Sequence, residues 1–335
     1  MKNFKLNYIY SLLLLIGANA LYSMYKKKNV KEEYREDYEI VKKYLLNDSS
    51  LAKSKKPIIW IHNIYDINAR HWLSFGSRNS NELNQPYLYL TIKSIIDQCG
   101  EDFNVCLIDD TSFANILPGW SIDLNQIGDP LRLKVRELAL ARVLYYYGGL
   151  LLPSSFICLK SLNDTYEAYT TNDRMCVGEF LNRNITSTND VYAPSNKLMA
   201  CNKGCPTMQA YINYLEILTS KDFTEGTIFT GAISKWFNKE IAAGNILLLS
   251  CEKIGTRDAN GKIVAIERLM ENAYINFSDD IVGIYLPADD LIKRFKFNWF
   301  VRCSVQQVLD SDTIIGKQLL LAQGKPGVKT AIYNN

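Results

Sequence analysis

The chain has 335 residues, 47% of them hydrophobic, with 38 Lys and Arg against 35 Asp and Glu, giving a formal charge of +3. That length and apolar content suit one large core, and no Pro- or Gly-rich linker splits it. The near balance of charges, with both signs interspersed, argues against a nucleic-acid-binding surface.

Residues 1–5 form a short basic lead, and residues 6–25 an apolar run closed by Lys26-Lys27-Lys28. The run is long enough for one membrane-spanning helix with tyrosines near both interfaces. A cleaved signal peptide, with Ala18-Asn19-Ala20 as its small-residue site, is the alternative reading. The greater number of lysines after the run places the following domain on the cytosolic side. Orientation stays open, because Asn47, Asn163, Asn184 and Asn276 head Asn-x-Ser/Thr sequons that only a lumenal domain would use. Residues 26–56 are charged, with Tyr34, Tyr38, Val41 and Leu45 at helical spacing, and read as an amphipathic stem.

Residues 57–325 read as the globular domain, followed by a tail at 326–335. Its first strand is Ile58 to His62, closed by His62 and Asn63; the polar and aromatic loop after it carries Arg70, Trp72 and Arg78. A helix from about Gln85 to Cys99 and a strand from Val105 to Ile108 come next. Asp109 and Asp110 then stand at a strand's carboxyl end, where open α/β sheets bind ligands; a polar turn or cap is the equal alternative.

The stretch from Leu138 to Tyr147 is apolar almost all round, which predicts a buried helix, and Gly148-Gly149 supplies a left-handed stop leading straight into a strand. Arg142 is a long cation within that helix and needs a carboxylate or an anion. Pairing with Glu137 is the structural option and contact with a diphosphate the functional one. Arg136 either shares that role or is solvated.

Further along, Glu179 to Leu181 and Lys197 to Cys201 read as short strands. Pro206 starts a helix through Leu218, and a helix from Gly231 to Ala243 precedes the buried strand Ile246 to Leu249. Ala259-Asn260-Gly261 signals a hairpin between Lys253-Ile-Gly and Lys262 to Ile266. Helices at Val305 to Leu309 and Thr313 to Ala322 close the domain, with Asp310-Ser311-Asp312 read as a helix cap. Cys99, Cys106, Cys158, Cys176 and Cys251 fall in or beside apolar runs and read as core residues. Cys201 and Cys205 read as a disulfide or as half a metal site, with no second pair or nearby His to complete a zinc ligand set.

Alternating strands and helices predict an α/β domain. The stretch Lys134 to Phe156, with its Tyr147-Gly148-Gly149 junction, resembles the core motif of the DXD-type glycosyltransferases of family 32, which includes capsular polysaccharide synthesis proteins. Lys56 to His62 and Phe103 to Asp110 look like that family's first two strands. The Pro-Ser-Ser-Phe variant looks like versions from large DNA viruses of eukaryotes. The resemblance implies a GT-A-like, Rossmann-like domain with a mixed sheet, a nucleotide sugar as donor and a glycan as acceptor.

It also implies nucleotide-sugar contacts from His62, Asn63, Asp109, Asp110, Glu137, Arg142 and Gly149. Glu137 stands where the family has a helix Asp, and Leu140 where it has a helix Arg. Pro153, Ser154 and Ser155 replace the DXD carboxylates that would hold Mn2+ or Mg2+; no residue is assigned as a metal ligand, and Lys and Arg in place of the metal, another carboxylate such as Asp109 or Asp110, or a dead site are the three outcomes left open. The implied function is a membrane-anchored glycosyltransferase of a host or virion membrane; a catalytically inactive binding or scaffold protein of the same fold is the alternative.

Overall fold

A computed structural model describes residues 56–63, 85–221 and 226–323. The apolar run at 6–25, the stem, the loop bearing Arg70, Trp72 and Arg78, and the tail lie outside the described residues. Among the described residues no helix is long and apolar enough to cross a membrane.

Helices of eight or more residues are labelled here. Strand β1 (Ile58–His62) is followed by α1 (Tyr87–Cys99), β2 (Asn104–Ile108), α2 (Leu131–Tyr147), β3 (Gly149–Pro153) and β4 (Phe156–Cys158). Helix α3 (Asn163–Thr170), β5 (Met175–Leu181), β6 (Tyr192–Cys201), α4 (Pro206–Thr219), α5 (Gly226–Ala242) and β7 (Ile246–Leu249) come next, then β8 (Gly283–Tyr285) and α6 (Ile314–Ala322). Six strands form one sheet in the order β2-β1-β3-β6-β5-β7, and β4 pairs with β8 in a second, two-stranded sheet. In the large sheet β1 runs parallel to β2 and β3, β5 runs parallel to β7, and β6 is antiparallel to both its neighbours. The fold is a mixed α/β sheet that is mostly parallel.

Parallel strands covered on both faces read as continuous apolar runs. Ile59, Ile61, Leu150 and Leu152 pack on one face with Ile95, Phe103 and Phe156, while Trp60 points to the other, where its ring lies 5.6 Å from that of Tyr147. A second apolar cluster gathers Leu90, Ile157, Ile284, Leu286, Phe300, Ile315 and Leu319, joining α1 to the small sheet and the C-terminal helices.

The α2–β3 reversal takes two residues. Helix α2 ends where the Gly148 N–H donates to the Leu144 carbonyl at 2.7 Å, and Gly148 and Gly149 adopt φ of 70° and 102°. A Cβ on Gly149 would overlap the Ile58 carbonyl, so β3 lies against β1 more closely than any side chain permits. The Trp60 indole donates to the Gly148 carbonyl at 2.9 Å and fixes the turn from the strand side.

Three local expectations change. Between Lys253 and Ile266 there is no hairpin ladder, only a bridge between Arg257 and Ile263, and Ile266 begins a short helix, Ile266–Leu269. The buried Asp258 organises this turn: its carboxylate accepts from the backbone of Asn260 and Lys262 and pairs with Arg268 at 2.9 Å. The backbone still closes a short antiparallel turn there, the Asp258 N–H donating to the Lys262 carbonyl and the Val264 N–H to the Thr256 carbonyl, both at 2.9 Å. Asp310 to Asp312 do not cap α6; Thr313 does, its hydroxyl accepting from the Gly316 N–H at 3.0 Å. The sequon at Asn184 is buried, with its amide donating to Ser234 at 3.0 Å and its carbonyl accepting from Thr186, so the folded chain offers no acceptor there. The eight cysteines are thiols, Cys201 and Cys205 among them.

Gly149→Ala should destabilise the fold by about 2–4 kcal/mol, since it adds positive-φ strain to a backbone overlap. Denaturant titration against wild type checks this; a loss under about 1 kcal/mol would mean that β3 can move away from β1.

Candidate functional site

The chain leaves β1 for β2 on one side and then crosses to β3 on the other, so the strand order reverses between β1 and β3. Open α/β sheets bind ligands outside the carboxyl ends of their strands at such a switch point. Here those ends are His62 and Pro153, which are register partners, and Ile108, which pairs with His62 from β2. The Asn63 N–H extends this edge by donating to the Ile108 carbonyl at 2.9 Å, and Asn63 is buried.

A charged triad closes the β1–β2 side. The Asp110 carboxylate accepts two hydrogen bonds from Arg136 on α2, from Nε and Nη2, both at 2.7 Å, and lies 2.9 Å from His62 Nε2. The side chains of Arg136 and His62 are each 10% exposed and that of Asp110 is 13% exposed. Burial alone would raise the Asp110 pKa, but the hydrogen bonds and charge of Arg136, with those of His62, override it and hold the carboxyl well below the usual range. The His62 ring stacks on Phe113, centroids 5.7 Å apart and planes within 3°.

Asp109 takes the turn role. Its Oδ1 accepts from the backbone and hydroxyl of both Thr111 and Ser112 at 2.7–2.9 Å. The two adjacent acids therefore divide the two sequence readings between them, with Asp109 forming the turn and Asp110 the edge.

Glu137, one residue after Arg136, faces another neighbour. Its Oε2 accepts from the Asn196 amide on β6 at 2.6 Å. Burial pushes its pKa up to about 7, against the opposing pull of Arg136, Asn196 and Lys197. Burial, with the nearby charge of Glu137, holds the pKa of the Tyr211 hydroxyl on α4 well above its ordinary value.

Asn196 and Lys197 reach the edge through an irregularity. The β5–β6 register jumps between Val177↔Met199 and Gly178↔Ser195, so residues 196–198 bulge out of the ladder. Pairing of β3 with β6 ends at Leu151↔Met199, two residues short of Pro153. The exposed Lys197 is thereby left at the level of Pro153, its ammonium donating to the Tyr285 hydroxyl at 2.8 Å and lying 5.0 Å from that ring. The residue is exposed but its ammonium lies against the Tyr285 ring; the desolvation there works against its charge, and Tyr285, Asp289 and Asp290 outweigh it and raise its pKa.

Five expected site residues lie elsewhere or serve other ends. Arg142 points away from the edge toward α4, pairing with Glu216 at 2.7 Å and lying 5.8 Å from the Trp120 ring centroid, so neither Glu137 nor an edge-bound anion satisfies it. Gly149 starts β3, at the amino end of the sheet, about 13 Å of strand from Pro153. Pro153, Ser154 and Ser155 form the turn from β3 into β4. The Ser154 carbonyl accepts from Thr91 at 2.6 Å, and the buried Ser155 hydroxyl donates to the Leu286 carbonyl at 2.6 Å. Sequence reasoning left Arg136 undecided and missed Asn196, Lys197 and Tyr285. The polar run Ser195-Asn196-Lys197 inside a strand was the available signal for the bulge.

Among the described residues no group of three or more His, Cys, Asp or Glu side chains could hold a metal ion. The edge carboxylates do not fit a divalent cation: Asp110 is engaged on both oxygens by Arg136, and burial favours the protonated form of Glu137.

No family model and no curated protein matches the chain. Among solved structures it is similar to one titled PaToxG Glycosyltransferase, at 15% identity over 56% of this chain and 74% of that one. The TM-score is 0.31, a likeness too loose to carry an argument.

Two substitutions test the electrostatics. Asp110→Asn should cost about 3–5 kcal/mol at pH 7, because it strands the buried Arg136. The folded pKa of Asp110 is depressed, so its contribution is complete above the unfolded value near 4 and lost as pH falls below that. The gap between wild type and variant in urea unfolding should therefore narrow from pH 4 downward; a constant gap would refute the pairing. Glu137 has the opposite sign. Its folded pKa is raised, so its ionisation destabilises the fold increasingly from about pH 4 up to about pH 7. Glu137→Gln should be near neutral at pH 4.5 and more stable than wild type at pH 8, and equal offsets at both pH values would exclude a raised pKa.

Proposed function

We propose that the chain is a glycosyltransferase that moves a sugar from a nucleotide sugar to a glycan acceptor. The switch-point edge carries the reading: the strand ends His62 and Pro153, Asp110 just past β2, the polar face of α2, and the bulged Asn196-Lys197 of β6 lie along one edge of the sheet. The resemblance of Lys134 to Phe156 to glycosyltransferase family 32 supports it. Family membership, the viral variety of the motif, retention at the sugar carbon and a membrane anchor at residues 6–25 belong to the same proposal.

Transfer breaks the bond between the sugar and the diphosphate, and negative charge accumulates on the departing phosphate oxygen. Where the family places metal-binding carboxylates, this chain has the Pro153–Ser155 turn. The neutralising charge is assigned instead to Lys197, which is exposed at the same level of the edge. Glu137 and Asn196 offer an acceptor and a donor for sugar hydroxyls, and His62 with Asn63 borders the nucleotide.

The second reading is an inactive protein of the same fold that serves as a binding or scaffold module. Calorimetry with UDP, GDP and their sugar conjugates separates the two. The transferase reading expects binding in excess chelator, weakened roughly tenfold to a hundredfold by Lys197→Met, together with release of the nucleotide when an acceptor is supplied. Binding that requires manganese would remove Lys197 from the role. No binding under either condition would leave the scaffold reading.

A further inference from the structure

The segment from Ala288 to Arg302 is amphipathic in an unusual sense, because it has two apolar faces. Leu291, Phe297 and Phe300 are at most 3% exposed and belong to the C-terminal core, whereas Ile292, Phe295 and Trp299 point outward at 48%, 89% and 48% exposure. The outward residues stand on three consecutive short turns, the helix Ala288–Lys293, the single turn Phe295–Phe297 and the helix Asn298–Val301, and make an exposed apolar ridge that is jointed at Arg294, whose backbone is extended at φ −94° and ψ 111°. Lys293, Lys296 and Arg302 are exposed among them. Lys293 and Arg302 make no ion pair among the described residues, and Lys296 lies 5.6 Å from the Phe297 ring centroid. The acids of the segment, Asp289 and Asp290, stand at its start, and Asp290 is engaged by Arg183 at 2.6 Å and Arg294 at 3.7 Å. Arg294 also pairs with Glu267, which fastens the ridge to the body of the domain.

We propose that this ridge docks the domain on an anionic lipid surface, with Phe295, Trp299 and Ile292 entering the headgroup layer and Lys293, Lys296 and Arg302 meeting lipid phosphates and carboxylates. Three observations select a membrane as the occupant. The exposed charge of the ridge beyond its acidic start is all positive, complementary to anionic headgroups. A phenylalanine 89% exposed projects from its surroundings, which suits insertion between headgroups, whereas protein hot spots sit in packed, recessed patches. The sequence also carries a 20-residue apolar run at 6–25, which as an anchor would keep a bilayer within reach. The ridge begins three residues after Tyr285, the partner of Lys197, and the helix Ala288–Lys293 spans about 9 Å. Docking would therefore hold the sheet-edge crevice close to the bilayer surface.

Hydrogen exchange on the full chain tests this, with vesicles of phosphatidylcholine alone or of phosphatidylcholine and phosphatidylserine. Peptides covering 288–302 should exchange more slowly on the anionic vesicles than on the neutral ones. The protection should vanish in Phe295→Asp/Trp299→Ser. Lys293→Ala or Arg302→Ala should each weaken vesicle affinity roughly fivefold. Unchanged exchange in the sheet peptides confirms that the variants fold. Insertion of the 6–25 run is read separately from its own peptides, so its failure leaves the result on 288–302 standing. Exchange of 288–302 that is equal on both vesicle types, or protection that survives in the double variant, overturns the proposal and returns the ridge to a protein partner.

Discussion

The approach of Gly149 to Ile58 is the constraint on which the rest of the domain depends. A helix that must stop and feed a parallel strand normally uses a loop of several residues; here Gly148 and Gly149 do it in two, and the missing Cβ lets the strands meet at full hydrogen-bonding distance. The register follows. With Leu150 against Ile59, Pro153 must stand against His62, and the carboxyl edge is level across the switch point. The bond from Trp60 to the Gly148 carbonyl makes the arrangement reciprocal, since β1 fixes the turn that positions β3.

On that level edge the charges are nearly self-cancelling. Asp110 joins β2 to β1 through His62 and to α2 through Arg136, so one carboxylate ties three elements together. A buried pair of this kind adds little net stability over apolar packing, but it specifies position, because removing either partner leaves the other unpaired. Glu137 sits one residue from Arg136 in a site where burial outweighs the nearby cations, and its pKa moves the opposite way from that of Asp110. The edge thus holds one carboxylate fixed in its ionised form and another that titrates near neutrality, with Lys197 exposed beside them.

Much of the scaffold was legible because local and tertiary preferences agree in it. The strands Ile58–His62 and Ile246–Leu249 fall where apolar runs bounded by polar residues place them, and Pro206 opens α4 as a proline at a first helical turn should. Legibility ends where a side chain from a distant part of the chain decides. The turn at Ala259–Gly261 pairs for only one bridge, because the Asp258 carboxylate takes the Lys262 amide and Arg268, ten residues on, holds that carboxylate. Arg142 was the conspicuous cation of an apolar helix, yet its partner Glu216 lies 74 residues away on α4. Arg136 looked unremarkable because nothing near it in sequence announces Asp110. The β6 bulge depends on where β3 stops pairing, which no single strand records.

Helix α2 shows why three neighbouring charges take three different roles. Successive residues turn by about 100°, so Arg136 and Glu137 diverge by that angle and Arg142 stands about 240° from Arg136. Arg136 meets β2, Glu137 meets β6, and Arg142 meets α4. Rotation of the helix about its axis would break all three contacts together, and sliding would break the Gly148 turn, so α2 is fixed against this edge of the sheet. Across from it, residues 196–198 have left the strand ladder, and Lys197 is held by its hydrogen bond to Tyr285. Lys197 and Tyr285 thus tie the bulged stretch of β6 to β8, from whose end the helix Ala288–Lys293 follows.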